Sequence, residues 1–159
     1  MTVISFREID SLERAEELRV IRNECAEWMT KNTAQISAQQ QRVFFYEQIE
    51  TGYIEGFLVY DDDKSVAYGL LVWDREVYGR VWSSNGTKVS ERGNGYGTVA
   101  TVEIARRAHA YGVPIWAEVR HDNIGEQKIC ASIGYCHVDV IERNGLEIDV
   151  LRCDKLEAT

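Results

Sequence analysis

Proline occurs once in these 159 residues and cysteine four times, and the 18 Lys and Arg are outnumbered by 26 Asp and Glu. Each scarcity closes off a class of protein. The lone proline, Pro114, falls near the start of a strand-like run, where its missing N–H is tolerable. No repeat, linker or low-complexity stretch divides the chain, so one domain over residues 1–159 is expected, long enough for a sizeable core. Cys25, Cys130, Cys136 and Cys153 form no C-x-x-C pair and do not cluster with His109, His121 or His137. No metal site is indicated, and a reduced, cytoplasmic setting is expected. A net charge of −8 argues against a nucleic-acid partner, because phosphate contacts need clustered Lys and Arg, and suits a cationic one. No apolar run approaches the ~18 residues of a membrane span. The start, Met1 to Glu8, has no basic region and only a short apolar run, so a leader is not expected.

Periodicity gives the order of elements. Ile4 to Ile9 alternates as a first strand. Asp10 followed by Glu13 reads as a capping box, opening a helix, or a broken one, over 11–30. Ser37 caps a second helix, which Gly52 stops. Strands are expected at 54–60, 65–74 and 78–89, then a helix at 97–111 carrying Glu103 and Arg107 as a surface pair. Residues 113–120 read as a buried strand and 123–133 as a short helix with Gly134 at its C-terminal end. Asn144-Gly145 is a strong type I′ turn signal between strands 135–141 and 146–153. The order is βααβββαβαββ.

Between the fourth strand and the long helix lies Arg92-Gly93-Asn94-Gly95-Tyr96-Gly97. Glycines at alternate positions let a ligand approach the backbone and permit positive φ. A helix starting there turns its free N–H groups and positive dipole end into the loop, which makes a cradle for phosphate. One alternative is a plain glycine-rich turn. Another is a dinucleotide fingerprint, since Gly95, Gly97 and Ala100 satisfy G-x-G-x-x-A with Glu118 about the right distance on. The fingerprint should follow its strand directly and open a doubly wound domain. Here Ser90-Glu91-Arg92 intervene and too little chain follows.

The loop resembles the (Arg/Gln)-Gly-x-Gly-x-(Gly/Ala) signature of the GCN5-related N-acetyltransferases. Asn123 and Gly134-Tyr135, following in the right order and spacing, strengthen that resemblance over residues 54 to 153. It implies an α+β fold: a mixed, mostly antiparallel sheet flanked by helices and splayed between its fourth and fifth strands. It also implies acetyl-CoA as cosubstrate, and an amine acceptor that is a small molecule, an amino sugar or a peptide. The cofactor contacts it implies are the strand end Thr87-Lys88-Val89, the loop Arg92, Gly93, Asn94, Gly95, Tyr96 and Gly97 with Thr98 beyond, and Asn123 along the pantetheine arm. Lys88, Arg92, the helix dipole and Lys128 would supply the positive ground that a polyanion needs. A homodimer stays open.

Acetyl transfer to an amine needs positioning, an acceptor for the ammonium proton and, where required, a proton for the leaving thiolate. Trp116-Ala117-Glu118-Val119-Arg120 resembles the ribosomal-protein alanine acetyltransferases, which implies Glu118 as general base with a pKa raised toward neutrality. The other reading is a solvated or salt-bridged glutamate. Asp74 and Glu76 are the rival carboxylates. At position 130, where the family's general-acid tyrosine is expected, stands Cys130, either a substitute acid or a small apolar residue on the helix's inner face. Its departure from the pattern supports the alternative of a non-catalytic acyl-CoA-binding domain. The segment Ile21-Arg22-Asn23-Glu24 with Ile36-Ser37 resembles sugar-amine acetyltransferases.

Overall fold

Apolar residues on both faces of two neighbouring strands fix the centre of the molecule. In the computed structural model, which describes residues 3–157, strands β2 (Ile54–Asp61) and β3 (Lys64–Trp73) are buried almost throughout. Phe57 and Val59 face one way, and Ile54, Leu58 and Tyr60 face the other. Such strands must be covered on both sides. Around them the sheet runs β1-β2-β3-β4-β5-β7-β6, with β1 (Ile4–Glu8), β4 (Val81–Thr87), β5 (Ile115–Arg120), β6 (Cys136–Arg143) and β7 (Leu146–Cys153). Every pairing is antiparallel except β4 with β5. That parallel contact spans only Val81↔Ile115 and Trp82↔Trp116. Beyond it the strands part.

Helix α1 (Leu12–Glu24) and helix α2 (Ala38–Phe44) cover one face, α3 (Tyr96–Ala110) and α4 (Ile124–Ile133) the other. On α3, Ala100, Ile104 and Ala108 recur every four residues and are wholly buried. The alanines among them let the helix lie close to the sheet. Gly69 of β3 sits beneath it, where an added Cβ would come within 2.3 Å of Phe57 and 2.9 Å of Ile104. No helix among the described residues is long and apolar enough to cross a membrane.

The expected order holds, with local differences. The α1 cap is Ser11, whose hydroxyl accepts from Arg14 N at 3.2 Å. Asp10 instead bonds the Arg14 side chain, so there is no Asp10–Glu13 capping box. Helix α1 breaks at Cys25 into a short 3₁₀ turn, Ala26–Trp28. Ser37 does cap α2, in a reciprocal capping box with Gln40. The second helix then widens into a π-helical turn over Phe45–Ile49 before Gly52 at φ +83° ends it. Strand β4 starts at Val81 rather than 78, because Asp74 accepts from the amides of Glu76 and Val77 and draws 74–80 into a turn. Asn144 and Gly145 both have positive φ, as a type I′ hairpin requires. Arg107 meets Glu103 as expected, but the pair is nearly buried and extends to Glu8 and Glu55, tying α3 to β1 and β2.

Gly69→Ala forces a methyl into Phe57 and Ile104. Overpacking of this kind costs about 1–3 kcal/mol. Thermal unfolding should show a Tm lower by several degrees, and an unchanged Tm would mean that α3 yields more readily than its packing suggests.

Candidate active site

The parting of β4 and β5 leaves one edge of β4 open. Lys88 N donates to Val66 O and Asp74 N to Arg80 O on the β3 side. Amides alternate along a strand, so those of Ser83, Asn85 and Thr87 face the opening. Of the strand-end residues expected to bind the cofactor, Thr87 presents its amide. The Lys88 amide is spent on β3, and the Val89 amide is taken by Glu24 Oε1 at 2.8 Å.

At the end of β4 the chain makes a 3₁₀ turn, Val89–Glu91, and then the glycine loop. Gly93 (φ +86°) and Gly95 (φ +84°) lie in the left-handed region with no protein atom within 4 Å of an added Cβ. Their glycine is required by conformation, and the space above them is free. Tyr96, Gly97 and Thr98 form the first turn of α3, so its unpaired N–H groups front that space. The loop side chains are turned elsewhere. Asn94 Nδ2 closes onto Glu91 O at 3.2 Å, and Arg92 reaches back to Cys25 Sγ at 3.8 Å. Lys88 Nζ lies 3.4 Å from Ser65 Oγ. The Tyr96 hydroxyl donates to Asp61, which pushes its pKa up to about 12. Any contact from Tyr96 to a phosphate would therefore come from its backbone.

Two tyrosines flank β4 from opposite faces. Gly86 has no side chain, and the Tyr68 ring from β3 lies across that spot, 2.7 Å from where a Cβ would stand. Its hydroxyl comes to rest beside Ser84 without completing a hydrogen bond. Tyr135, just after α4, likewise ends beside Ser83 with no partner. Both side chains are buried. Burial drives both pKa values well up, so both hydroxyls stay protonated. An unpaired buried hydroxyl costs about 1–3 kcal/mol, and two beside one open strand edge point to a ligand there. Tyr135, which reads as core packing in the sequence, thus brings a polar group into the opening.

Asn123 caps α4, its Oδ1 accepting from Glu126 N at 3.3 Å. One turn on, Glu126 reaches across to β4, accepting from Asn85 Nδ2 at 3.3 Å and from Cys130 Sγ at 3.6 Å. Burial raises its pKa. Nothing in the composition singles this glutamate out. Its spacing does, because 126, 130 and 133 share the helix face that carries the buried Cys130 and Ile133. Cys130 itself is fully enclosed, and burial together with Glu126 drives its thiol far above the ordinary range. A proton held so tightly makes it a poor acid for a thiolate of ordinary pKa ~8.5.

Glu118 is held in an ion pair. Its carboxylate holds Arg143 through two bonds, 3.0 and 2.9 Å, and accepts from Thr30 Oγ1 at 3.2 Å. Burial pushes its pKa up, but the Arg143 bond and charge outweigh that, and the net direction is down. The raised pKa expected from sequence is therefore not what the structure gives, because Arg143 shares this carboxylate. Asp74 fares no better, since the Trp82 indole and two backbone amides lower its pKa within the turn. Glu76 is exposed in that same turn.

The resemblance to sugar-amine enzymes rests on residues that hold a loop. Arg22 donates to the carbonyls of Asn32 and Ala34, and Asn23 exchanges two bonds with Ile36. A groove of about 700 Å³ runs beside this loop, past Glu24, Glu27, Lys31 and Arg120. Another, about 540 Å³, lies among Phe45, Trp73, Tyr111 and the carboxylates of Glu8 and Glu55, both already paired with Arg107. The histidines converge as their spacing did not suggest: His121 and His137 both bond the buried Asp149, with Glu147 nearby. Gln127 also donates to Asp149 at 2.7 Å, so this network braces the start of α4.

Glu118→Gln should keep the fold but lose the ionic half of the Arg143 clasp, worth about 1–3 kcal/mol for a partly buried pair. A carboxylate with depressed pKa stabilises above its unfolded value of ~4.3, and the gain vanishes as pH falls through the lower folded value. Tm measured against pH should therefore show the variant below wild type at neutrality, with the gap closing in acid. A gap that persists unchanged in acid would contradict the ion pair.

No family sequence model and no curated protein sequence matches the chain. Solved structures do resemble it. An N-acetyltransferase from Staphylococcus aureus Mu50 superposes with a TM-score of 0.84 at 13% identity, covering 96% of this chain and 98% of that one. An acetyltransferase of the GNAT family from Streptococcus pneumoniae gives 0.77 at 15%, covering 98% and 100%. The structure of yncA from Salmonella typhimurium with its cofactor acetyl-CoA gives 0.79 at 12%, covering 94% and 92%. At such identities the likeness speaks for the architecture alone, and it agrees with the splayed seven-stranded sheet: the chain has the fold of the GCN5-related N-acetyltransferases.

Proposed function

We propose that the chain is an acetyl-CoA-dependent N-acetyltransferase that acetylates a primary amine of a small molecule, amino sugar or peptide by direct attack in a ternary complex. The observation that carries this reading is the open edge of β4, with the glycine loop at one end and the unpartnered Tyr68 and Tyr135 hydroxyls beside it. These residues suit acetyl-CoA. The loop between Gly93 and Gly97 and the first turn of α3 would take the pyrophosphate. The amides of Ser83, Asn85 and Thr87 would pair with the pantetheine arm and the acyl carbonyl, as a further strand would. Bound there, acetyl-CoA supplies an activated acyl group.

The chain's own part is to orient and to exclude water. Amides fixed along a strand need no reorganisation, so charge gathering on the acyl oxygen meets donors already in position. Glu27, beside the groove next to the opening, offers a carboxylate to an incoming ammonium, in keeping with the net charge of −8. Glu118 enters as a structural clasp that holds β5 to the hairpin and to Thr30. A purely binding domain would explain the cysteine at 130 and the locked Glu118. It gives no reason for the half-buried Glu126 carboxyl to reach across to β4.

Isothermal calorimetry with acetyl-CoA tests the reading, and absence of binding at about 1 mM, a weak-binding ceiling of roughly 4 kcal/mol, would overturn it. Gly95→Asn tests the cradle. Asparagine tolerates the left-handed region, so the fold should stay, while its side chain fills the free space above the loop. Affinity should fall tenfold or more with Tm nearly unchanged. Screening amino sugars, polyamines and peptide N-termini for released thiol then identifies the acceptor.

A further inference from the structure

Five carboxylates near the open half of the sheet are tied up or exposed, and one is not. Glu118 is clasped by Arg143, Glu24 by the Val89 amide, and Asp74 by its own turn. Glu76 and Glu27 stand in solvent. Glu126 alone extends from α4 to β4 across the opening, and no Lys or Arg among the described residues pairs with it. The groups bonded to it are Asn85 from β4 and Cys130 from its own helix, and its charge also reaches the Tyr68 and Tyr135 hydroxyls. All four are neutral. A lone carboxylate in neutral surroundings, partly desolvated, is disfavoured, so the protonated form gains.

We propose that Glu126 is the proton shuttle of acyl transfer, giving its carboxyl proton to the leaving sulfur and taking one back from the acylated nitrogen. This rests on the acetyltransferase reading. The step balances. The acceptor ammonium first loses a proton to solvent. The free amine forms its bond to the acyl carbon, the carbon–sulfur bond breaks, and the sulfur takes the proton of Glu126. The nitrogen, positively charged after attack, returns a proton to the carboxylate. Products are amide and thiol, and Glu126 ends as it began.

Position and chemistry agree. Glu126 lies one helical turn before Cys130, the place where the sequence pattern leads one to seek the acid, on the same face of α4. The Cys130 thiol holds its proton too tightly to serve, yet its S–H donates to Glu126 Oε1, and so helps to fix the carboxyl's orientation. Asn85 fixes it from the other wall.

Infrared difference spectroscopy of wild type against Glu126→Gln at neutral pH tests this without any acceptor. Wild type should show the carbonyl stretch of a protonated carboxyl that the variant lacks, and acetyl-CoA should shift it. Calorimetry should find acetyl-CoA affinity in Glu126→Gln within about threefold of wild type. Thiol release with the acceptor found in the amine screen should fall about 10²–10⁴-fold, the range for a lost proton transfer, and Glu126→Asp should recover part of it. Ordinary acetyl-CoA binding with no carboxyl band, or a wild-type rate in Glu126→Gln, overturns this proposal alone. Failure of wild type to bind acetyl-CoA overturns both readings.

Discussion

Two residue pairs, Val81 with Ile115 and Trp82 with Trp116, are all that join β4 to β5, and the rest of the molecule is arranged around their parting. A strand edge left unpaired inside a protein is a liability, because each buried N–H without a partner costs about as much as a lost hydrogen bond. The fold therefore needs something to hold the strands apart and something to complete the edge. The tilted Trp82–Trp116 pair, 5.8 Å between centroids, sits at the fork, with Arg80 stacked 4.6 Å from the Trp116 ring. Bulky rings at the last paired position are a physical reason for the ladder to stop there.

Ionic clasps keep the two halves of the sheet from closing or drifting. Arg107 gathers Glu8, Glu55 and Glu103, fastening α3 to the first two strands. Arg143 joins the β6–β7 hairpin to Glu118 on β5 and to the carbonyl of Thr30, and Arg120 reaches Glu27 O while lying over the Trp28 ring. Together they bind the segment after α1 to the far half of the sheet. That segment forms one wall of the groove beside the opening, so charges that look catalytic in a sequence serve here to set the width of a cleft.

Local signals in the chain were legible because their causes are local. A glycine at positive φ before α3, a serine cap on α2, asparagine capping α4, glycine ending it and Asn-Gly in the hairpin each depend on a few neighbouring residues. The order of elements followed once those pieces were in sequence, and the splay followed only from the family resemblance they carry. Pairings across the sheet were not legible. Arg143 meets Glu118 only because the hairpin folds β6 back beside β7, and nothing in the spacing marks them as partners. Asp10 and Ser11 compete for one cap, and backbone geometry rather than residue type decides it. Glu126 escaped notice for a different reason: an acidic residue in the first turn of a helix is what the helix dipole favours anyway, so its presence carries no surprise until its neighbours are known.

The contrast between Glu118 and Glu126 shows why environment outranks motif in assigning a proton-transfer role. Both are glutamates and both line the open half of the sheet. Both lose solvent, which taken alone raises a carboxyl pKa. One gains a guanidinium within 3 Å and becomes a firm anion, useful as a clasp and poor at exchanging protons. The other gains only an amide and a thiol, which do not cancel the loss of water, and its pKa moves up. Two carboxyls pushed apart in this way divide the labour of a site: one fixes its shape, the other is free to move a proton.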